Sequence, residues 1–98
     1  MNIYWSIEAI DDFEKSLEYL ETEFSEKEIK HFIQKSEETI LKISEKPHLF
    51  RRTDFKNVHA VPIIPVITLF YRILSKNEIE LIRFWNNYQN PVNLSFEY

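Results

Sequence analysis

Ala9, Ile10, Phe13, Leu17, Leu20 and Phe24 recur at spacings of three and four, with Asp11, Asp12, Glu14 and Glu18 between them. That period predicts an amphipathic helix over roughly residues 7–22, one face apolar and the other solvated. Ser6 stands ahead of it as an N-cap. Before the cap, Ile3-Tyr4-Trp5 reads as a short strand. Ser25 and Glu28 form a capping-box pattern, so a second helix is expected to start there. Ile29, Phe32, Ile33, Ser36, Ile40 and Ile43 give it a core stripe, and Pro47 ends it because proline cannot continue the hydrogen-bond ladder. The short link from Glu23 to Ser25 makes the helices an antiparallel αα-hairpin.

After Pro47 the period changes. His48–Asn57 (HLFRRTDFKN) is basic and aromatic without a clean period and reads as a loop, its direction open. Val58–Ile64 is a strand candidate in which Pro62 signals an edge or a bulge. Ile67–Leu74 is rich in β-branched and aromatic residues and reads as a strand. Ser75–Asn77 is a turn in which Asn77 tolerates a left-handed backbone. Glu78–Trp85 is the last strand, and Asn86–Pro91 a polar turn.

The order is β-α-α-β-β-β. The fold class is therefore α+β: an antiparallel sheet of about four strands with the N-terminal αα-hairpin packed on one face. The other face is left partly free. On the Ile67–Leu74 strand, parity sets Leu69, Tyr71 and Ile73 toward the helices and Thr68, Phe70 and Arg72 on the free side. The last strand is ambiguous. Ile79, Leu81, Arg83 and Trp85 share one parity, and Glu80, Ile82 and Phe84 the other.

The 98 residues fit one domain, residues 1–98. Glycine is absent, which excludes a P-loop and a GxGxxG dinucleotide site. Cysteine is absent too, so no disulfide or thiolate site is available. His31, His48 and His59 have no metal-ligand spacing, and neither metal nor cofactor is expected. No apolar run reaches the length of a membrane span. The N-terminus lacks a basic region followed by an apolar core, so no secretory leader is expected. The net charge of −4 is uneven: residues 1–46 hold six Lys/Arg against twelve Asp/Glu, and residues 47–98 six against four. An anionic partner would meet the second half.

Three segments together resemble the RelE/ParE toxin superfamily. Tyr4-Trp5-Ser6 with Ala9 and Asp12-Phe13 is similar to the family's start. Leu69-Phe70-Tyr71-Arg72-Ile73 resembles its central strand. Ile79-Glu80-Leu81-Ile82-Arg83 with the polar tail behind it resembles its last strand. The likeness spans the whole chain. It implies a cytoplasmic toxin of a type II toxin–antitoxin module, of the plasmid-stabilisation kind, that inhibits growth and is neutralised by a cognate antitoxin. RelE-like members cut mRNA on the ribosome, and ParE-like members inhibit DNA gyrase.

RNA cleavage needs a base, cations for the phosphate and a proton donor for the leaving oxygen. The family's RelE-like sites carry lysines on the strand matched here by Val58–Pro62, which has neither lysine nor arginine. This departure favours the ParE-like reading, a toxin that acts by binding and not as an enzyme; the alternatives are a RelE-type mRNA endonuclease and a degenerate, non-toxic member that serves only as a binding module. If the chain were RelE-like, His59, Arg72, Arg83 and Tyr88 would be catalytic. For binding, the candidates are Arg51, Arg52, Arg72, Arg83, Trp85 and Tyr88. Arg72 also fits a bland role, snorkelling over Phe70 on a wet face. Trp85 fits either a strand end or an anchor for a partner.

Overall fold

The computed structural model describes residues 1–94 and 96. The elements are β1 (Asn2–Trp5), α1 (Ile7–Glu23), α2 (Glu26–Glu45), β2 (Arg51–Arg52), β3 (Val58–Ile64), β4 (Ile67–Ser75) and β5 (Glu78–Asn86), followed by a short 3-10 turn (Pro91–Asn93). One sheet runs in the order β1-β5-β4-β3-β2. β1 pairs with β5 in parallel and every other pairing is antiparallel. The α+β class holds, with five strands where about four were expected.

The extra strand lies inside the segment read as a loop. Arg51 and Arg52 pair with Ala60 and His59. Two residues are too few to show a period, which is why the pattern missed them. The turn between β2 and β3 is closed by Thr53, whose hydroxyl donates to the Val58 carbonyl at 3.0 Å and accepts from the Phe55 N–H at 3.1 Å. Asn57, at φ 60°, takes the left-handed conformation there. Among the described residues this conformation falls at Asn57 and not at Asn77.

The helices start as their caps dictate. The Ala9 N–H donates to the Ser6 hydroxyl at 2.9 Å, and the Ser25 N–H donates to the Glu28 carboxylate at 3.1 Å. The principal core joins Ala9, Leu20, Phe32 and Ile43 to Val61, Ile63, Leu69, Tyr71, Ile79, Leu81 and Phe84. Burying each large side chain of that set contributes about 1.5–3 kcal/mol. Ser16 and Ser36 are buried as well. Their hydroxyls donate to the carbonyls one turn back, at 2.8 and 2.7 Å, so neither is left unsatisfied. Ile10 and Phe24 fit the apolar stripe but stay exposed.

The second sheet face was expected to be partly free, and it is covered. Val58, Ala60, Phe70, Ile82 and Trp85 are buried there under Phe96, with Leu94 packed beside them. The Phe96 ring lies 4.9 Å from Phe70 and 4.8 Å from Phe55. The ambiguity of β5 has a cause. The register steps from Tyr71↔Leu81 to Phe70↔Arg83, so Ile82 is an extra residue, a β-bulge. Ile79 and Leu81 face the helices before the bulge and Phe84 faces them after it. Ile82 and Trp85 face the other way. No single parity describes a strand that changes phase in the middle.

Candidate functional site

β1 stops at the Trp5↔Leu81 pair, so the second half of β5, paired with β4 on one side, has no strand on the other. The start of α1 takes over that edge. The Ser6 N–H donates to the Leu81 carbonyl at 3.0 Å, and the Ser6 hydroxyl donates to the Ile82 carbonyl at 3.0 Å. The Phe84 N–H donates to Asp12 Oδ2 at 3.1 Å. Arg83 donates to the same carboxylate through Nε at 2.6 Å and Nη2 at 3.0 Å. Its guanidinium also lies 5.2 Å from the centre of the Trp85 ring. The hydrogen bond to Asp12 is the main reason the Arg83 pKa is raised further, so the guanidinium is held charged. Ser6, Asp12 and Arg83 sit in two separate sequence segments, and here they form one joint.

The other candidates separate over different surfaces. Arg72 donates to the Lys56 carbonyl at 3.1 Å and to the Phe96 carbonyl at 2.6 Å, so it clamps the C-terminal segment onto the sheet. Trp85, which looks exposed in the sequence, is only 5% exposed beneath that segment. Tyr88 lies past the end of β5 and is 77% exposed. Its N–H donates to the Asn86 side chain at 2.9 Å.

His59 is 3% exposed on the helix face. Its ring stacks on Tyr71 at 5.3 Å, and His48 meets it edge-on at 5.8 Å. Among the described residues neither ring nitrogen makes a well-formed hydrogen bond, and the Asn57 main chain works only weakly in favour of the proton. Burial lowers its pKa first, and the charges of His48 and Arg52 lower it further. A neutral imidazole is therefore the resident form. Tyr71 donates its phenol to the Pro47 carbonyl at 2.6 Å, and burial pushes its pKa up to about 12. No pattern along the chain marks this tether between the sheet and the end of α2.

Arg51 and Arg52 are exposed on the β2 edge. Among the described residues neither is in an ion pair. The structure brings Arg52 and His59 together as register partners. It does not gather His59, Arg72, Arg83 and Tyr88 into one cluster. Two cavities were not foreseen. A polar one of about 160 Å³ lies between α1 and the end of β5, lined by Lys15, Tyr19, Asn86 and Gln89 among others. An apolar one of about 190 Å³ lies where Leu20 and Phe24 approach Ile64 and Val66. Among the described residues no group of three or more His, Cys, Asp or Glu could hold a metal ion. No described helix is long and apolar enough to cross a membrane.

No protein-family model matches the chain, and no curated protein matches it. Solved structures do. The fold is similar to a chain of a chromosomal ParDE TA system from P. aeruginosa, with TM-score 0.71 and 13% identity over 88% of this chain and 95% of that one. It is also similar to a YoeB/ParE toxin from Agrobacterium tumefaciens, with TM-score 0.65 and 17% identity over 90% of this chain and all of that one (100%). A third is a heterotetrameric YoeB-YefM toxin-antitoxin complex from Staphylococcus aureus, with TM-score 0.61 and 18% identity over 90% and 98%. The chain has the RelE/ParE toxin fold. At these identities the RelE/ParE likeness extends to the backbone, and function has to be argued from the side chains.

Proposed function

We propose that the protein is the toxin component of a toxin–antitoxin module, acting in the cytoplasm by binding its target and neutralised by a cognate antitoxin. The RelE/ParE fold over nine-tenths of the chain supports the toxin reading. The dispersal of His59, Arg72, Arg83 and Tyr88 is the observation that carries binding over cleavage. Arg83 is held by Asp12, Arg72 holds two main-chain carbonyls, and His59 is buried. Among the described residues, these four do not bring a cation, a base and a proton donor to one point where a ribose and a phosphate could sit. A ParE-like target, DNA gyrase, fits this reading better than the mRNA of a translating ribosome.

Tightly controlled expression in a bacterium without the antitoxin tests the claim. Growth arrest on induction is expected, and unaltered growth at full expression would overturn it for that host. A supercoiling assay with purified gyrase tests the target, with inhibition expected. Primer extension on translated mRNA separates the alternative: new cleavage ends that vanish in Arg83→Ala would favour an endonuclease.

A further inference from the structure

We propose that the β2 edge is a docking edge for an extended acidic segment of a partner protein, which adds as a further strand and sets two adjacent carboxylates against Arg51 and Arg52. Only the identification of that partner with the antitoxin rests on the reading above.

The main chain supplies the first argument. β2 is the last strand of the sheet on its side. The Thr53 N–H donates to the Val58 carbonyl, so these two residues face each other at a bonded position of the β2–β3 pairing, while the Val58 N–H turns to the Phe55 carbonyl. Bonded and non-bonded pairs alternate in an antiparallel ladder. The Arg52↔His59 pair is therefore the non-bonded kind, and the N–H and C=O of Arg52 point away from β3 to the open edge. The same alternation turns Pro62 of β3 toward this side. Proline has no N–H to offer there, so the edge stops being useful beyond β2.

The side chains supply the second. Arg51 and Arg52 lie on opposite faces of the sheet, one paired with Ala60 of the tail-covered face and the other with His59 of the helix face. Both are exposed and without an ion pair among the described residues. Residues 46–57 hold four Lys/Arg against a single aspartate, in a chain whose net charge is −4. The segment is the basic exception on an acidic molecule. A second copy of this edge would meet it with like charge, which disfavours self-pairing.

Geometry then decides the chemical class. A phosphodiester backbone running along one face reaches one of the two guanidinium groups. Consecutive side chains of a β-strand alternate between faces, so neighbouring Asp and Glu residues reach both. Each carboxylate can take two parallel N–H bonds from its arginine.

The test is fluorescence anisotropy with a labelled peptide, a Thr/Val-rich nonamer carrying Asp-Glu at its centre. Saturable binding is expected. It should weaken about tenfold in Arg51→Ser and in Arg52→Ser, and comparably when Asp-Glu is replaced by Asn-Gln. Methylating the peptide nitrogen that faces Arg52 should abolish it. Equal binding of the Asn-Gln or the N-methylated peptide would overturn the proposal. So would a single-stranded RNA decamer that competes the peptide off at lower concentration, in favour of a nucleic-acid edge. Arg51→Lys and Arg52→Lys keep the charge and lose the fork, and should fall between. None of these readouts involves growth. A toxic protein that ignores the peptide would leave the toxin reading intact, and a harmless one that binds it would leave this inference intact.

Discussion

The two edges of the sheet are finished in different ways. At one, β1 covers only half of β5, and the start of α1 closes the remainder with Ser6 and Asp12, drawing Arg83 into a bidentate ion pair. At the other, a two-residue strand ends the sheet with Arg51 and Arg52 facing water and no counter-charge in an ion pair among the described residues. The same residue type is structural at the first edge and available at the second. An arginine on such a strand is therefore no evidence of a site until its partner is known. What distinguishes Arg83 from Arg52 is a carboxylate one helix away.

Breaking the closed edge should cost most. The side chains of Arg83 and Asp12 are only 21% and 12% exposed. Removing one member of such a pair leaves a poorly hydrated charge without its counter-ion, a loss of about 3–5 kcal/mol. Asp12→Ala also deprives the Phe84 N–H of its acceptor. Against a typical total of about 5–15 kcal/mol, that variant should be poorly folded at ambient temperature. Urea unfolding measures it, and a loss below about 1 kcal/mol would contradict the joint described above. Asp12→Asn keeps an acceptor for the amide and should be intermediate.

Ser6→Ala touches the same edge more lightly. It removes a helix cap and a hydrogen bond to the Ile82 carbonyl. The expected loss is about 1–2 kcal/mol, with α1 fraying first. Hydrogen exchange at Ala9 and its neighbours should report it before global unfolding does.

How far the sequence disclosed this arrangement follows from the kind of signal involved. The helices and β3, β4 and β5 were legible because each carries a long periodic pattern or a run of branched and aromatic residues. β2 was not, because two arginines have no period. The facing of β5 was not, because the Ile82 bulge resets its phase. The cover on the second face was missed because it is provided by isolated residues, Leu94 and Phe96, in a non-periodic tail. The candidate residues were visible as residue types, but their partners were not. Arg72 and Arg83 have equally suggestive sequence surroundings, and only tertiary contacts show that one clamps the C-terminal segment and the other ties down α1.

Beside the open edge lies a pH-sensitive group. His59 is buried neutral, with its pKa lowered by burial and by His48 and Arg52. The unfolded chain then binds the proton more readily than the folded one. Stability from this group is complete above the unfolded histidine pKa of about 6.5 and is lost as pH falls below it, at up to about 1.4 kcal/mol per pH unit. His59→Phe keeps a ring on Tyr71 and removes the titration. The gap in Tm between that variant and the native protein should shift in favour of the variant between about pH 7 and about pH 5. A constant gap would mean that His59 finds a proton-binding partner in the folded state.

The smallest stability effect is expected at the edge that carries the docking proposal. Arg51→Ser and Arg52→Ser remove exposed charges with no ion pair among the described residues, so each should change stability by no more than about 0.5 kcal/mol. The sign is informative. Arg52 lies close enough to His59 to depress its pKa, so the Arg52→Ser protein should hold its stability further into acid than the native protein does. Arg51, paired with Ala60 on the far face, should show no such effect. Parallel thermal melts of the two variants across that pH range separate the arginines. If both shift the acid limb equally, the two side chains do not occupy opposite faces, and the geometry that favours adjacent carboxylates over a phosphate backbone fails with them.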